Sequence, residues 1–139
     1  MLGCKSFKTF GWALVIGITT GNGAIAQPLT PGSWKNQLGS VLTITNVGAS
    51  GQLTGTYVTG VGCDAGQPQQ LTGWYYDGGS GGGGAIAFSV IWSGCSSITS
   101  WSEQYDSTTQ NFQAMWHLPI AAPPKWNGIY AGTDTFTRQ

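Results

Sequence analysis

Charged side chains are scarce in this sequence of 139 residues, and there is one histidine. Five basic and five acidic side chains make up 7% of the chain. Without a basic patch to neutralise phosphates, nucleic acid is excluded as an expected partner. His117 is the lone histidine and no CxxC spacing occurs, so a zinc site is not expected. We predict no metal and no cofactor.

The sequence also lacks an apolar run long enough to span a bilayer. The apolar run 10–18 is preceded by two lysines and followed by Ala24-Ile25-Ala26, a pattern typical of a secretory leader with a small-residue cleavage site. We therefore predict that residues 1–26 are a signal peptide rather than a membrane anchor. Residues 27–139 would then form one slightly acidic domain, secreted or periplasmic, with no membrane contact after leader removal.

Cysteine is limited to three residues, and Cys4 would leave with the leader. Cys63 and Cys95 remain in the mature domain. Two cysteines in an exported chain are more often bridged than free, so we expect a disulfide, with two free thiols as the alternative.

No segment of the mature domain has a sustained helical period. Short strand-like runs instead alternate with clusters of Gly, Ser and Asp, the residues that turns use. Connections this short make neighbouring strands antiparallel. We therefore predict an all-β fold, an eight-stranded antiparallel up-and-down β-barrel whose interior can hold one small ligand. The eight runs are Gly32–Gln37, Ser40–Asn46, Gln52–Thr59, Gln69–Tyr76, Gly84–Trp92, Ser97–Tyr105, Asn111–Leu118 and Gly128–Thr137.

Large apolar side chains alternate along the run Gly84–Trp92, which predicts one buried face, and the next run adds hydroxyl groups to such a face. Alternation puts Ser97 and Thr99 on the same face as Trp101, although a sheet usually turns Ser and Thr toward water. Alternation along the eighth run likewise turns Asp134 inward, on the same face as Phe136. A buried polar group is costly unless it is hydrogen-bonded, so these residues indicate either a structural network or the wall of a polar pocket.

Five colinear segments carry a family resemblance through essentially the whole mature chain. The chain resembles the avidin and streptavidin family of biotin-binding barrels. The resemblance implies high-affinity, noncovalent binding of biotin by a secreted protein that is not an enzyme. The segments are Gly32–Ser40, Leu53–Thr59, Leu71–Gly73, Thr99–Tyr105 and Gly132–Thr137.

The resemblance also implies a role for each polar residue. Asn36, Ser40 and Tyr57 match the donors to the ureido oxygen of biotin. Thr59 and Asp134 match the acceptors of the two ureido N–H groups. An ionised carboxylate at that position makes a charge-assisted hydrogen bond.

The remaining matched positions surround the sulfur ring and the tail of the ligand. Three tryptophans match the aromatic walls, one threonine matches the hydroxyl near the sulfur, and one serine with backbone N–H groups of the mouth loop 59–67 matches the carboxylate contact. These residues are Trp92, Trp101, Trp116, Thr99 and Ser97, with Cys63 in the mouth loop.

Trp126 matches the tryptophan that a neighbouring subunit inserts over the ligand. The resemblance therefore implies a homo-oligomer. A Cys63–Cys95 disulfide would tie the mouth loop to the hairpin that follows Trp92, as in some dimeric relatives. Retention of both features leaves a tetramer and a dimer open.

Two other functions compete with biotin binding. A barrel of the same shape can bind a different small ligand, as lipocalins do. An esterase-like enzyme would use Ser97, His117 and Asp134, but His117 has outward parity and no nucleophile elbow surrounds Ser97.

Overall fold

The computed structural model describes residues 27–79, 83–121 and 126–139, without the Trp126 side chain. The predicted leader, 1–26, lies outside the described residues. Eight antiparallel strands form a closed barrel in chain order, which confirms the predicted fold class. The strands are β1 Gly32–Asn36, β2 Val41–Val47, β3 Gln52–Val58, β4 Pro68–Asp77, β5 Gly83–Trp92, β6 Ser97–Asp106, β7 Asn111–Pro119 and β8 Ile129–Arg138.

Short 3-10 turns at Ser93–Cys95 and Trp126–Gly128 complete the regular structure of the described residues. Within those residues, no helix has the length and apolar character needed to cross a membrane. The observed strand ends differ from those of the predicted runs by at most one residue. β2 also contains a register shift between Ile44 and Asn46, which the alternation of side chains did not indicate.

Alternation of side chains along the strands decides what lies inside the barrel. In β6 every second residue from Ser97 to Tyr105 is buried, and the residues between are exposed. The inward face of β5 is buried in the same way, as its parity predicted. A period of two in the sequence therefore becomes the two faces of one continuous curved sheet.

One end of the barrel is filled by aromatic side chains. The rings of Trp34 and Phe112 lie 4.7 Å apart, and those of Phe112 and Tyr105 lie 5.4 Å apart. The chain before β1 closes this end, because Leu29 is buried and the Tyr105 hydroxyl donates to the carbonyl of Gln27. The other end, where β1 meets β2 and β3 meets β4, stays open.

A disulfide links two connections at the open end. Cys63, between β3 and β4, is bonded to Cys95 in the turn between β5 and β6. Asp64 has a positive φ of 58° and packs over Gly94, where a Cβ would lie 2.5 Å from the Asp64 Oδ1 atom. Since both sulfur atoms are used in the disulfide, this Cys63–Asp64–Cys95 group offers no thiolate to a metal ion.

Removal of an aromatic ring from the closed end should destabilise the whole barrel. Phe136 is fully buried, and its ring lies 6.4 Å from that of Phe112. We expect Phe136→Ala to lower the free energy of unfolding by about 3 to 5 kcal/mol, through lost burial and a residual cavity. Urea unfolding followed by tryptophan fluorescence measures the change. The exposed neighbour Thr137 is the control, since Thr137→Ala should change stability by less than about 0.5 kcal/mol; equal losses would contradict the packing described.

The disulfide should stabilise the barrel by restricting the unfolded chain. The bond joins residues separated by 32 positions. We expect the Cys63→Ala, Cys95→Ala double variant to lose about 3 to 4 kcal/mol of stability in the chain-entropy account. Urea unfolding of the oxidised protein and of the double variant gives the difference. A reducing agent should lower the stability of the wild-type protein and leave that of the variant unchanged; equal stabilities would show that the thiols are free.

Candidate functional site

A cavity of about 330 Å³ opens at the unplugged end of the barrel. The residues that line it include every ligand-binding residue predicted from the sequence except Trp126, whose side chain lies outside the described residues. Their contacts with a ligand remain predictions. The predicted residues that line the cavity are Asn36, Ser40, Tyr57, Thr59, Cys63, Trp92, Ser97, Thr99, Trp101, Trp116 and Asp134.

Asp134 is a buried carboxylate with N–H donors on both oxygens. Its Oδ1 accepts from Asn36 Nδ2 at 3.2 Å and from Gln37 Nε2 at 3.0 Å. Its Oδ2 accepts from Trp101 Nε1 at 3.0 Å. The two interpretations left open by its parity are therefore both correct, because Asp134 belongs to a structural network and also lines the cavity.

The amide of Asn36 is oriented by the turn that follows β1. Its Oδ1 accepts from the backbone N–H groups of Leu38 at 3.0 Å and Ser40 at 2.8 Å. Nδ2 therefore points into the barrel, toward Asp134 and toward the Tyr57 hydroxyl at 3.5 Å. Asn36 can consequently present a donor, but no acceptor, to the cavity.

Two hydroxyl groups lie near this amide. Ser40 Oγ accepts from the backbone N–H of Gly60 at 3.0 Å and also shares a hydrogen bond with the Tyr57 hydroxyl. Burial raises the pKa of the Tyr57 phenol well above its usual value, and the charges of Asp134 and Glu103 raise the pKa further. A hydrogen bond with Ser40 lowers the pKa, but by less than burial raises it. Tyr57 is therefore a neutral O–H group throughout the ordinary pH range.

Aromatic rings form the walls and floor of the cavity. Trp101 stacks on Phe88 with ring centroids 4.7 Å apart, and the Tyr57 ring lies 4.9 Å from that of Trp101. The Trp116 ring lies so close to Gly132 that a Cβ there would be 2.5 Å from the indole. A side chain at position 132 would therefore displace this wall.

Thr99 and Thr59 each already have a partner in the protein. Trp92 Nε1 donates to Thr99 Oγ1 at 2.8 Å, which leaves the Thr99 hydroxyl proton available. The Thr59 hydroxyl donates to the carbonyl of Val61 at 2.7 Å and accepts from its N–H at 3.2 Å. Thr59 can therefore offer its remaining lone pair, and Thr99 its proton, to a ligand.

The mouth loop offers fewer backbone donors than its length suggests. The N–H groups of Gly60, Val61, Gly66 and Gln67 are all bonded within the protein. Gly62 and Cys63 are the loop residues beyond Val61 that line the cavity. Apolar side chains also surround the opening, namely Leu38, Val61, Leu118 and Ile120.

The arrangement does not assemble a hydrolytic triad. His117 lies on the exposed outer face of β7, opposite Ser100 on β6 and Ala131 on β8. Ser97 and Asp134 face the cavity. The enzyme alternative that required all three side chains together therefore lacks its base.

Sequence reasoning missed two residues of this region. Gln37 follows β1 and still reaches Asp134 Oδ1. Glu103 is 6% exposed, inside the barrel, although the sequence analysis counted it only in the charge balance. Its parity with Trp101 was a sufficient signal for Glu103, whereas no periodic signal indicates Gln37.

Burial raises the pKa of the Glu103 carboxyl well above its usual range, and the negative charge of Asp134 raises it further. Neither oxygen of Glu103 has a hydrogen-bond partner among the described residues. This carboxyl group therefore differs sharply from that of Asp134, which has N–H donors on both oxygens.

Comparison with known proteins assigns the chain to a family. Residues 25–139 match the Avidin family. Afifavidin from Afifella pfennigii is 32% identical over 122 residues, which span 82% of this chain and 72% of that protein. The crystal structure of core-bradavidin matches with a TM-score of 0.73 and 43% identity, over 79% of this chain and all of that one. The biotin complex of a shwanavidin variant matches with a TM-score of 0.70 and 34% identity, over 82% of this chain and 100% of that one. The chain therefore belongs to the avidin family.

Proposed function

We propose that this protein binds biotin tightly and noncovalently in the barrel cavity and catalyses no reaction. The observation that carries the proposal is the polarity of the cavity wall. Donors from Asn36, Ser40 and Tyr57 lie together, and acceptor oxygens of Thr59 and Asp134 also line the cavity. A cyclic urea has the complementary pattern, one oxygen between two N–H groups.

Three neutral donors aimed at one oxygen stabilise the partial negative charge of a ureido carbonyl. The low dielectric of a buried site strengthens these bonds. Beside these donors, the Asp134 carboxylate would accept a ureido N–H in a charge-assisted hydrogen bond. Thr59 would accept the second N–H.

The rest of the cavity suits the sulfur ring and the aliphatic tail. Trp92, Trp101 and Trp116 are stiff apolar surfaces that bury ligand area at low entropic cost. The free proton of Thr99 would face the sulfur. Ser97 and the N–H groups of Gly62 and Cys63 would meet the ligand carboxylate at the mouth. A volume of about 330 Å³ lies within the range of small-molecule sites.

High affinity follows from preorganisation. Partners in the protein set the orientation of Asn36, Thr59, Thr99 and Asp134, so ligand binding requires little ordering. The disulfide holds the mouth loop in place before the ligand arrives. A disulfide also persists best in an oxidising compartment, in agreement with a cleaved leader at 1–26 and export to the periplasm or medium.

We also propose that the protein forms a homo-oligomer, either a tetramer or a dimer. On the outer face, Trp74 is 58% exposed and Met115 is 61% exposed, with the small residues Ala87 and Ser102 between them in one row. A flat, partly apolar face of this kind favours self-association. Trp126 would then reach the mouth of a neighbouring site.

A lipocalin-like barrel that binds another small ligand is the alternative. The donor and acceptor pattern favours a cyclic urea over a purely apolar ligand. Competition by free biotin decides between the two, since biotin should displace any other ligand from this cavity.

Replacement of Asp134 should weaken biotin binding. Asp134→Ala removes the acceptor of one ureido N–H and leaves Trp101 Nε1 without its partner. We expect the dissociation constant to rise by about 10- to 100-fold or more, the cost of an unpaired buried N–H. Titration with biotin, followed by tryptophan fluorescence, measures this. Asp77→Ala, at the closed end of the barrel, is the matched control; an unchanged affinity in Asp134→Ala would refute the polar assignment.

Replacement of Trp126 should accelerate ligand release. If a neighbouring subunit supplies this side chain, Trp126→Ala should raise the release rate of biotin about tenfold or more, as loss of a central interface tryptophan does. Stopped-flow chase with unlabelled biotin gives the rate, and size exclusion with light scattering gives the subunit number. Thr137→Ala, whose exposed side chain lies outside the row proposed for self-association, is the control and should leave the release rate unchanged. A monomeric wild-type protein with an unaltered release rate in Trp126→Ala would contradict the shared site.

A further inference from the structure

Glu103 is an acid with no described role in the fold or the cavity wall. It lies on the inward face of β6, and it is the next inward-facing residue after Trp101. Its side chain is buried, and among the described residues neither carboxyl oxygen has a hydrogen-bond partner. An ionised carboxylate in such a place is costly, because no donor among the described residues compensates its charge.

Glu103 and Asp134 occupy the same lateral row of the barrel. Strand pairing aligns Ile86 with Glu103, Glu103 with Ala114, and Ala114 with Asp134. The neighbours in that row, Ile86 on β5 and Ala114 on β7, are apolar. Both acids therefore point into one interior, separated along the sheet by a single small side chain.

Among the described residues, two titratable groups interact with Glu103. Asp134 on β8 faces it across Ala114, and Tyr57 on β3 experiences the charges of both acids. The Tyr57 phenol stays neutral because burial raises its pKa. The pair of acids therefore decides the charge of this part of the interior.

The surroundings of Asp134 and of Glu103 favour different protonation states. Asp134 has three N–H donors that stabilise a carboxylate. Glu103 has none among the described residues, and burial together with Asp134 raises its pKa. The three donors favour the charged form of Asp134, whereas Glu103 holds its proton to a pH above the usual range of a glutamate.

We infer that Glu103 is a positioning residue that controls the ligand site through its proton: the neutral acid keeps Asp134 as the charged acceptor, and ionisation of Glu103 weakens ligand binding. This inference rests on the proposed function. A ligand in the cavity excludes water and so increases the cost of a second negative charge beneath it. The ligand therefore binds the form with protonated Glu103, and binding takes up a proton when the free protein has lost it.

The free energy of unfolding of the ligand-free protein should also depend on the ionisation of Glu103. In acid, Glu103 is protonated in both the folded and the unfolded chain, so it contributes no pH dependence. As the pH rises above the usual glutamate pKa, the unfolded chain ionises while the folded chain retains the proton, and stability falls. The fall continues until the pH reaches the raised pKa of the folded state.

Release of a fluorescent biotin conjugate, measured from acid to alkaline pH, tests the inference. The wild-type rate should rise with pH by up to about tenfold per pH unit, the slope of one proton. Glu103→Gln and Glu103→Leu should both lack this rise, since neither side chain titrates. Asp77→Asn, at the closed end, should retain it. A rise common to all variants at still higher pH reports Tyr57.

Two further measurements do not require ligand. Infrared spectra of the free protein should retain the carbonyl stretch of a protonated carboxyl above the pH at which an exposed glutamate ionises, and Glu103→Gln and Glu103→Leu should lack this signal. Urea unfolding should find Glu103→Gln no more stable than wild type in acid and increasingly more stable as the pH rises.

The outcomes separate the two proposals. Parallel pH profiles of biotin release in wild type and both Glu103 variants would overturn this inference alone. Loss of the protonated carboxyl signal at the pH at which an exposed glutamate ionises would do the same. Failure to bind biotin at every pH would overturn the proposed function and this inference with it.

Discussion

The hydrogen bonds of the Asp134 carboxylate are the constraint on which the rest of the site depends. A carboxylate inside a barrel is tolerated only with donors on its oxygens. Those donors come from Asn36 at the end of β1, from Gln37 just beyond it, and from Trp101 on β6. Closure of the barrel through pairing of β1 with β8 is what brings Asn36 to Asp134. The polar side of the cavity therefore forms only when the barrel closes.

The same strands serve two different interiors. On β6 the inward residues change along the strand from Tyr105, in the aromatic closed end, to Ser97, at the mouth. The change needs no change of backbone geometry, because alternation alone decides which side chains face inward. The closed end supplies buried apolar area, which offsets the cost of polar groups in the open end.

The period-two pattern was enough to predict the strands, their order and most inward-facing residues. It could not predict how the amide of Asn36 is oriented, because that depends on backbone N–H groups brought close by the turn to Ser40. It gave no signal for Gln37, which lies beyond the end of β1. For Glu103 the pattern indicated the inward face but not the absence of a donor, which depends on apolar neighbours from two other strands. The pairing of Cys63 with Cys95 was expected from composition and compartment, and the proximity of two loops accounts for it.

A cavity that holds polar groups without collapse needs each group to be partly satisfied by the protein. Ser40 accepts from Gly60 and shares a hydrogen bond with Tyr57, and Thr99 accepts from Trp92 and retains a proton. Asn36 gives its oxygen to the turn and keeps its N–H groups inside. A partner in the protein restricts the rotation of each of these side chains, and their unused donors and acceptors face the cavity. The loss of side-chain entropy therefore occurs during folding and not when the ligand binds. Glu103 departs from this rule, because its oxygens have no partner among the described residues. A group that no partner orients is suited to hold a proton and unsuited to recognise a ligand directly.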